Sequence, residues 1–191
     1  TECMDDGDSL LKNERDIDFE RGKIFGRWNQ VFAVFIPDSM DDSLVESYFD
    51  SACDFYLSEL KKKGDFFPIL SAEDVRGHSR GVMLAMESSR GGGSLERLEK
   101  LYERGLRLIT LTWNHKNRAA GGCDEGGGLT DWGRELVSKM EKLGIVTDVS
   151  HLSDRSFYDL CEFSDAPFIA SHSDARAVHN EVRSLTDEQI K

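Results

Sequence analysis

Two histidines 21 residues apart each close an apolar run: IVTDVS precedes His151 and FIAS precedes His172. A third run, GVMLAM, ends in Glu87. Two imidazoles and one carboxylate are a usual ligand set for a catalytic zinc ion, with a fourth position left for water. Any one of the three is equally well explained as a polar residue that tops a strand and bonds to a loop. Three of them at strand ends, on one edge of one sheet, favour a metal. Asp148, three residues before His151, suits either of two roles. It can orient a ligand histidine from behind, or serve as a buried partner for backbone or for Ser150. Arg183 follows His172 by eleven residues. Its planar guanidinium fits a bidentate grip on a carboxylate, although a lone arginine is equally an ordinary surface residue. His78, His115 and His179 fall in expected loops and read as solvated. The GGG stretches have no following GK[ST], so they do not read as a phosphate loop. No GxSxG elbow supports a serine nucleophile.

The elements that must position these groups alternate. Strands are expected at residues 31–36, 81–86, 106–112, 145–149 and 167–170. A long helix is expected from Asp42 to Lys63, with Leu44, Val45, Tyr48, Ala52, Phe55 and Leu60 at helical spacing and Gly64 as its stop. Ser94 can cap a second helix, with Leu95, Leu98, Leu101 and Tyr102 on one face and Gly105 at its end. Thr130 can cap a third, striped by Trp132, Leu136, Met140 and Leu143 and ended by Gly144. A fourth should open near Ser153. Strands alternating with helices across short loops predict an α/β fold with a parallel sheet, either a barrel or a doubly wound layer. In a parallel barrel, catalytic groups gather at the C-terminal ends of the strands.

Length and charge narrow the classes. The chain has 191 residues, whereas a complete eight-fold barrel usually needs roughly 250. A net charge of −12 argues against nucleic acid, which requires a basic footprint. No apolar stretch reaches membrane-span length. The four cysteines, Cys3, Cys53, Cys123 and Cys161, are scattered without CxxC spacing and read as free thiols of a cytoplasmic protein. The first residue is not Met, and Thr186 with Gln189 begins a capping box whose helix would open just as the chain stops at Lys191. Both ends therefore lead to the expectation of a piece of a longer protein.

Three blocks carry a family resemblance: LYERGLRLITLTWNHKN, GGLTDWGRELVSKMEKLGIVTDVSHLSDRSFYDL and APFIASHSDARAVHNEVRSLTDEQI. Together they resemble the membrane (renal) dipeptidase family of zinc peptidases, and the likeness extends more loosely back through Glu87. The resemblance implies a (β/α)8 TIM-type barrel with two zinc ions at its C-terminal mouth and dipeptides as substrates. It implies that Glu87 bridges the two metals, that His151 and His172 bind one of them, and that Arg183 recognises the dipeptide carboxylate. Three departures follow. The family's first-strand His-x-Asp pair has no counterpart here. The family's later aspartate, which serves in proton transfer, is expected beyond Lys191, so no catalytic acid–base residue is assigned. A substrate-contacting histidine is replaced by Trp113, which takes over as the expected substrate-binding residue.

Residues 1–191 are thus expected to form one incomplete barrel domain of about five of eight βα units, with the first strand and the last two missing. The leading expectation is a metallo-dipeptidase fragment, inactive alone, with ligands complete for one zinc only. The rivals are an inert remnant or partner-binding fragment, and another metal-dependent amidohydrolase on the same barrel. A homo-oligomer is compatible with either.

Overall fold

The computed structural model of the protein describes residues 1–62 and 66–191. Its elements, in chain order, are α1 (Glu2–Asp5), α2 (Phe19–Gly22), β1 (Trp28–Phe35), α3 (Asp42–Lys61), β2 (Phe67–Pro68), α4 (Ala72–Gly77) and β3 (Arg80–Glu87). A 3-10 turn at Ser89–Gly92 leads to α5 (Leu95–Glu103), β4 (Leu106–Thr110), α6 (Asp131–Leu143), β5 (Val146–Asp148), α7 (Asp154–Phe163) and α8 (Asp187–Ile190).

The sheet is parallel, in the order β1-β3-β4-β5, with β2 paired to β3. On one side of β3, β1 runs its full length, from Trp28 opposite Arg80 to Phe35 opposite Glu87. On the other side, β2 takes Gly81 and Val82 and β4 takes Leu84 to Glu87. The fifth expected strand, at residues 167–170, is reduced to a single bridge between Ile169 and Asp148. Ile169 N–H donates to the Thr147 carbonyl and its own carbonyl accepts from Val149 N–H. Pro167 cannot extend that ladder, having no N–H. Beyond it, Ser171 N–H turns to the Asp148 side chain. Likewise β4 stops at Thr110, short of the expected Thr112. The Leu111 carbonyl is taken by Ser89 N–H and the Asn117 side chain instead.

Capping explains why the helices start where they do. Side chains of Asp41, Ser94, Thr130 and Ser153 accept the N–H groups of Ser43, Arg97, Gly133 and Ser156. At the far end, the capping box expected at Thr186 and Gln189 is present in both directions, and it opens α8, whose C-cap is Lys191. Gly144 ends α6 with φ +80°, a left-handed turn that glycine enters without a Cβ penalty. The buried face of α3 is Val45, Phe49, Ala52, Cys53 and Tyr56. That stripe is rotated from the expected one, and Leu44 stands 58% exposed. The stop expected at Gly64, with the helix end at Lys63, lies outside the described residues. The core fills the layer between sheet and helices, where Ile36, Leu84, Met86 and Ile109 meet Phe49, Leu98, Leu136 and Met140. Glu59, near the end of α3, is buried with its carboxylate bonded by Ser9 Oγ, Leu10 N–H and Lys62. Among the described residues no helix is long and apolar enough to cross a membrane.

Candidate metal centre

Parallel register sets the frame of the site. Glu87 lies opposite Thr110, Thr110 opposite Asp148, and Asp148 is bridged to Ile169. The chain therefore emerges from four neighbouring segments at one level, and the site residues stand on or just beyond that row. Glu87 is the last residue of β3. His151 sits in the turn after β5 with φ +70°, an uncommon conformation for a residue with a Cβ. Its carbonyl is fixed by Cys123 N–H and Thr112 Oγ1. His172 follows the Ile169 bridge by three residues.

The three side chains meet. His151 Nε2 and His172 Nε2 are 2.9 Å apart, and Glu87 Oε1 lies 3.1 Å from the first and 3.4 Å from the second. One ligand atom from each is within 4.8 Å of the other two. Burial is graded: His151 is 6% exposed, Glu87 17% and His172 44%, so the cluster opens to solvent on the His172 side. Burial alone would raise the Glu87 pKa. With the two imidazoles protonated, their hydrogen bonds and charge outweigh it and hold the carboxyl at about 2, an anion at neutral pH.

Behind the rings, the Nδ1 atoms have partners. His151 Nδ1 is 2.7 Å from Asn114 Oδ1, and the Cys123 thiol lies 3.6 Å from the same oxygen. An amide oxygen only accepts, so the His151 proton sits on Nδ1 and leaves a lone pair on Nε2. Arg183 Nη2, 2.9 Å away, donates to that nitrogen. His172 Nδ1 is 2.7 Å from Ser171 Oγ. A carboxylate and two ring nitrogens converge on one point, and when the rings are neutral with their protons on Nδ1 such a set suits a divalent cation.

The remaining residues named from the sequence fall as follows. Arg183 reaches the cluster and also donates through Nη1 to the His172 carbonyl at 2.7 Å. Trp113 is half-buried beside it, its ring 6.2 Å from that of His151 and 4.9 Å from that of Phe35. Asp148 does not touch His151. It accepts from Ser150 N–H, Ser171 N–H, Thr110 Oγ1 and Ser171 Oγ. Against the raising effect of its burial, those bonds depress its pKa. His115 is exposed but not merely solvated. Its N–H and Nδ1 both bond Asp38, and that bond raises its pKa. His78 stacks on Phe67, with ring centroids 4.1 Å apart, and His179 is exposed. Lys191, the position beyond which the acid–base aspartate is expected, is exposed. The group that could hold a metal ion comprises Glu87, His151 and His172, and among the described residues no further carboxylate joins it.

Sequence reasoning passed over three residues that shape the site: Asn114, Ser171 and Arg176. Arg176 grips both Asp154 oxygens at 2.8 Å and donates to the Val182 and Ser184 carbonyls, so it fixes the loop that presents Arg183. The SHSDAR stretch contains two of the three, but nothing in its spacing marks them.

The sequence matches the family described as Membrane dipeptidase (Peptidase family M19) over residues 6–191. It is 33% identical over 135 residues to an uncharacterised protein in the pqqA 5′ region of Klebsiella pneumoniae, covering 64% of this chain and 50% of that protein. An uncharacterised protein in the PQQ-III 3′ region of Acinetobacter calcoaceticus is 32% identical over 132 residues, covering 62% and 41%. Among solved structures, the fold resembles dipeptidase AC, a metallopeptidase of family M19. The TM-score is 0.85 and the identity 26%, over 95% of this chain and 62% of that one. It also resembles a metallopeptidase from Rhodobacter sphaeroides solved with a phosphinate mimic of the dipeptide L-Ala-D-Ala. There the TM-score is 0.75 and the identity 25%, over 91% and 60%. The chain thus spans half or less of the curated relatives and under two thirds of these solved ones.

Proposed function

Since the chain belongs to the membrane dipeptidase family, peptidase family M19, we propose that the protein is a zinc-dependent dipeptidase, and that residues 1–191 are one incomplete barrel domain of it. The observation that carries this reading is the Glu87–His151–His172 cluster with Arg183 at its rim. In this reading Glu87, His151 and His172 hold a zinc ion. When bound, such an ion supplies Lewis acidity to the scissile carbonyl and the attacking water. Arg183 pairs with the substrate carboxylate, a task its fork of N–H donors suits. Trp113, packed edge-on against Phe35, offers an apolar wall to a substrate side chain. Glu87, kept anionic beside the imidazoles, contributes negative charge and no proton at neutral pH. No residue up to Lys191 is assigned the acid–base role. The free state of all four cysteines supports a cytoplasmic location.

One ligand set predicts at most about one tightly held zinc per chain. The resemblance implies two in a whole enzyme, so the chain alone should hydrolyse dipeptides weakly or not at all. The test compares the 191-residue chain with a protein extended to the length of the solved relatives. The dipeptide L-Ala-D-Ala, mimicked in the Rhodobacter structure, is the first substrate to try. Expected are chelator-sensitive hydrolysis by the extended protein, its loss in His172→Ala, and weakened binding of carboxylate-bearing substrates in Arg183→Ala. Robust turnover by the short chain overturns the incomplete-domain reading. An extended protein that is inactive across a dipeptide panel overturns the dipeptidase reading and leaves an inert remnant or partner-binding fragment, or another metal-dependent amidohydrolase.

A further inference from the structure

We propose that Asp148 is a positioning residue for the metal centre, acting through Ser171 to fix the proton of His172 on Nδ1. The inference rests on the reading of His172 as a ligand and adds what sets that ligand's protonation pattern.

The hydrogen-bond inventory around Asp148 leaves little freedom. Its Oδ1 accepts from two backbone groups, Ser150 N–H at 3.1 Å and Ser171 N–H at 3.0 Å. Its Oδ2 accepts from two hydroxyls, Thr110 Oγ1 at 2.7 Å and Ser171 Oγ at 2.6 Å. Asp148 has no exposed surface, so four donors surround a carboxylate that can only accept. Ser171 therefore spends its single hydroxyl proton on Asp148. Its oxygen is 2.7 Å from His172 Nδ1, and having no second proton it can meet that nitrogen only as an acceptor. His172 must then carry its proton on Nδ1, which leaves the Nε2 lone pair facing His151 and Glu87.

The two rings reach the same tautomer by different devices. His151 is set by a neutral amide oxygen directly behind it. His172 is set by a charge one hydroxyl away. This difference makes the proposal separable from general disruption of the site. In Asp148→Asn, Oδ2 becomes an amide nitrogen that donates to Ser171 Oγ. The Ser171 hydroxyl proton is then released toward His172 Nδ1, and the imidazole proton moves to Nε2. A near-isosteric change thus reverses one ring and spares the other.

The test is long-range 1H–15N correlation of the histidine rings in the 191-residue chain, at a pH where both rings are neutral, together with zinc titration against a competing chelator. In the parent chain both rings should report Nδ1–H. In Asp148→Asn, His172 should switch toward Nε2–H while His151 keeps its pattern, and zinc affinity should fall roughly 10–100-fold, the usual worth of a group behind a metal ligand. If Asp148→Asn loses the His151 signature through misfolding, Ser171→Ala decides, and its His172 should lose the Nδ1–H preference. A His172 that remains Nδ1–H in Ser171→Ala or in a folded Asp148→Asn overturns the relay. Tautomers that behave as expected in a chain that binds no zinc overturn the metal reading and leave the relay standing.

Discussion

Ser88 follows Glu87 with φ +83° and ψ +114°, a combination that a residue with a Cβ adopts only under strain. Its hydroxyl is buried without a hydrogen-bond partner among the described residues, which adds the desolvation of a polar group. Ser88→Gly relieves both terms. Against this stands the greater chain entropy that glycine loses on folding, about 1 kcal/mol at most. The balance predicts a gain of about 1–2 kcal/mol, read as a higher urea midpoint with an unchanged slope; a lower midpoint would show that Ser88 holds the turn. Residue by residue, legibility in the sequence followed chemistry. Glu87, His151 and His172 stood out because metal-binding types ended apolar runs. Asn114 and Ser171 did not, because they are small polar loop residues whose partners are found only after folding. Asn114 meets a ring 37 positions away. For Asp148 the sequence left two roles open, and the contacts it makes are those of a buried partner for backbone, with Ser171 reaching it through the Ile169 crossing.

At the scale of elements, α6 shows a packing constraint that outweighs helix propensity. A Cβ built on Gly133, in its first turn, would stand 2.0 Å from the Ala119 carbonyl oxygen. That atom is backbone and cannot rotate aside. Alanine is the better helix former by about 1 kcal/mol, yet Gly133→Ala should destabilise by about 1–3 kcal/mol, the range for overpacking. Thermal unfolding of the two proteins checks the sign, and a stabilised variant would mean that the Ala119 strap is free to withdraw. The longer helices were readable in advance because their caps and stripes are local signals, as with Ser94, Thr130, Ser153 and Gly144. Missed were β2, α1, α2 and α4. The first is two residues long and the next two are four each, too short for any period to register. The strand after α7 was overestimated, because an apolar FIA run gives no hint that one bridge is all the ladder it makes.

For the whole molecule, the decisive property is a sheet with two open sides. Among the described residues β1 has one strand neighbour, and Val31 on it is 39% exposed. At the other edge Ile169 is 42% exposed. Unpaired edges with apolar side chains invite pairing with further strands. Sedimentation velocity of the 191-residue chain should therefore show association that grows with concentration, and Val31→Lys, a charge on the open β1 edge, should reduce it. A strictly monomeric parent chain across the micromolar range would contradict this. The parallel α/β sheet was legible from the alternation of strands and helices, and the barrel only from the family resemblance. How little shields its edges was not, since exposure of one strand depends on what lies beside it. The single bridge at Ile169 has a consequence for how the site lives in time. Glu87 and His151 hang from the cooperative interior of the sheet, whereas His172 hangs from its least protected margin. In the proposed metal site, local fraying there would withdraw one of the three groups and leave two in place. A cation spanning all three would clasp that margin shut, and ligand binding and edge protection would share one free energy.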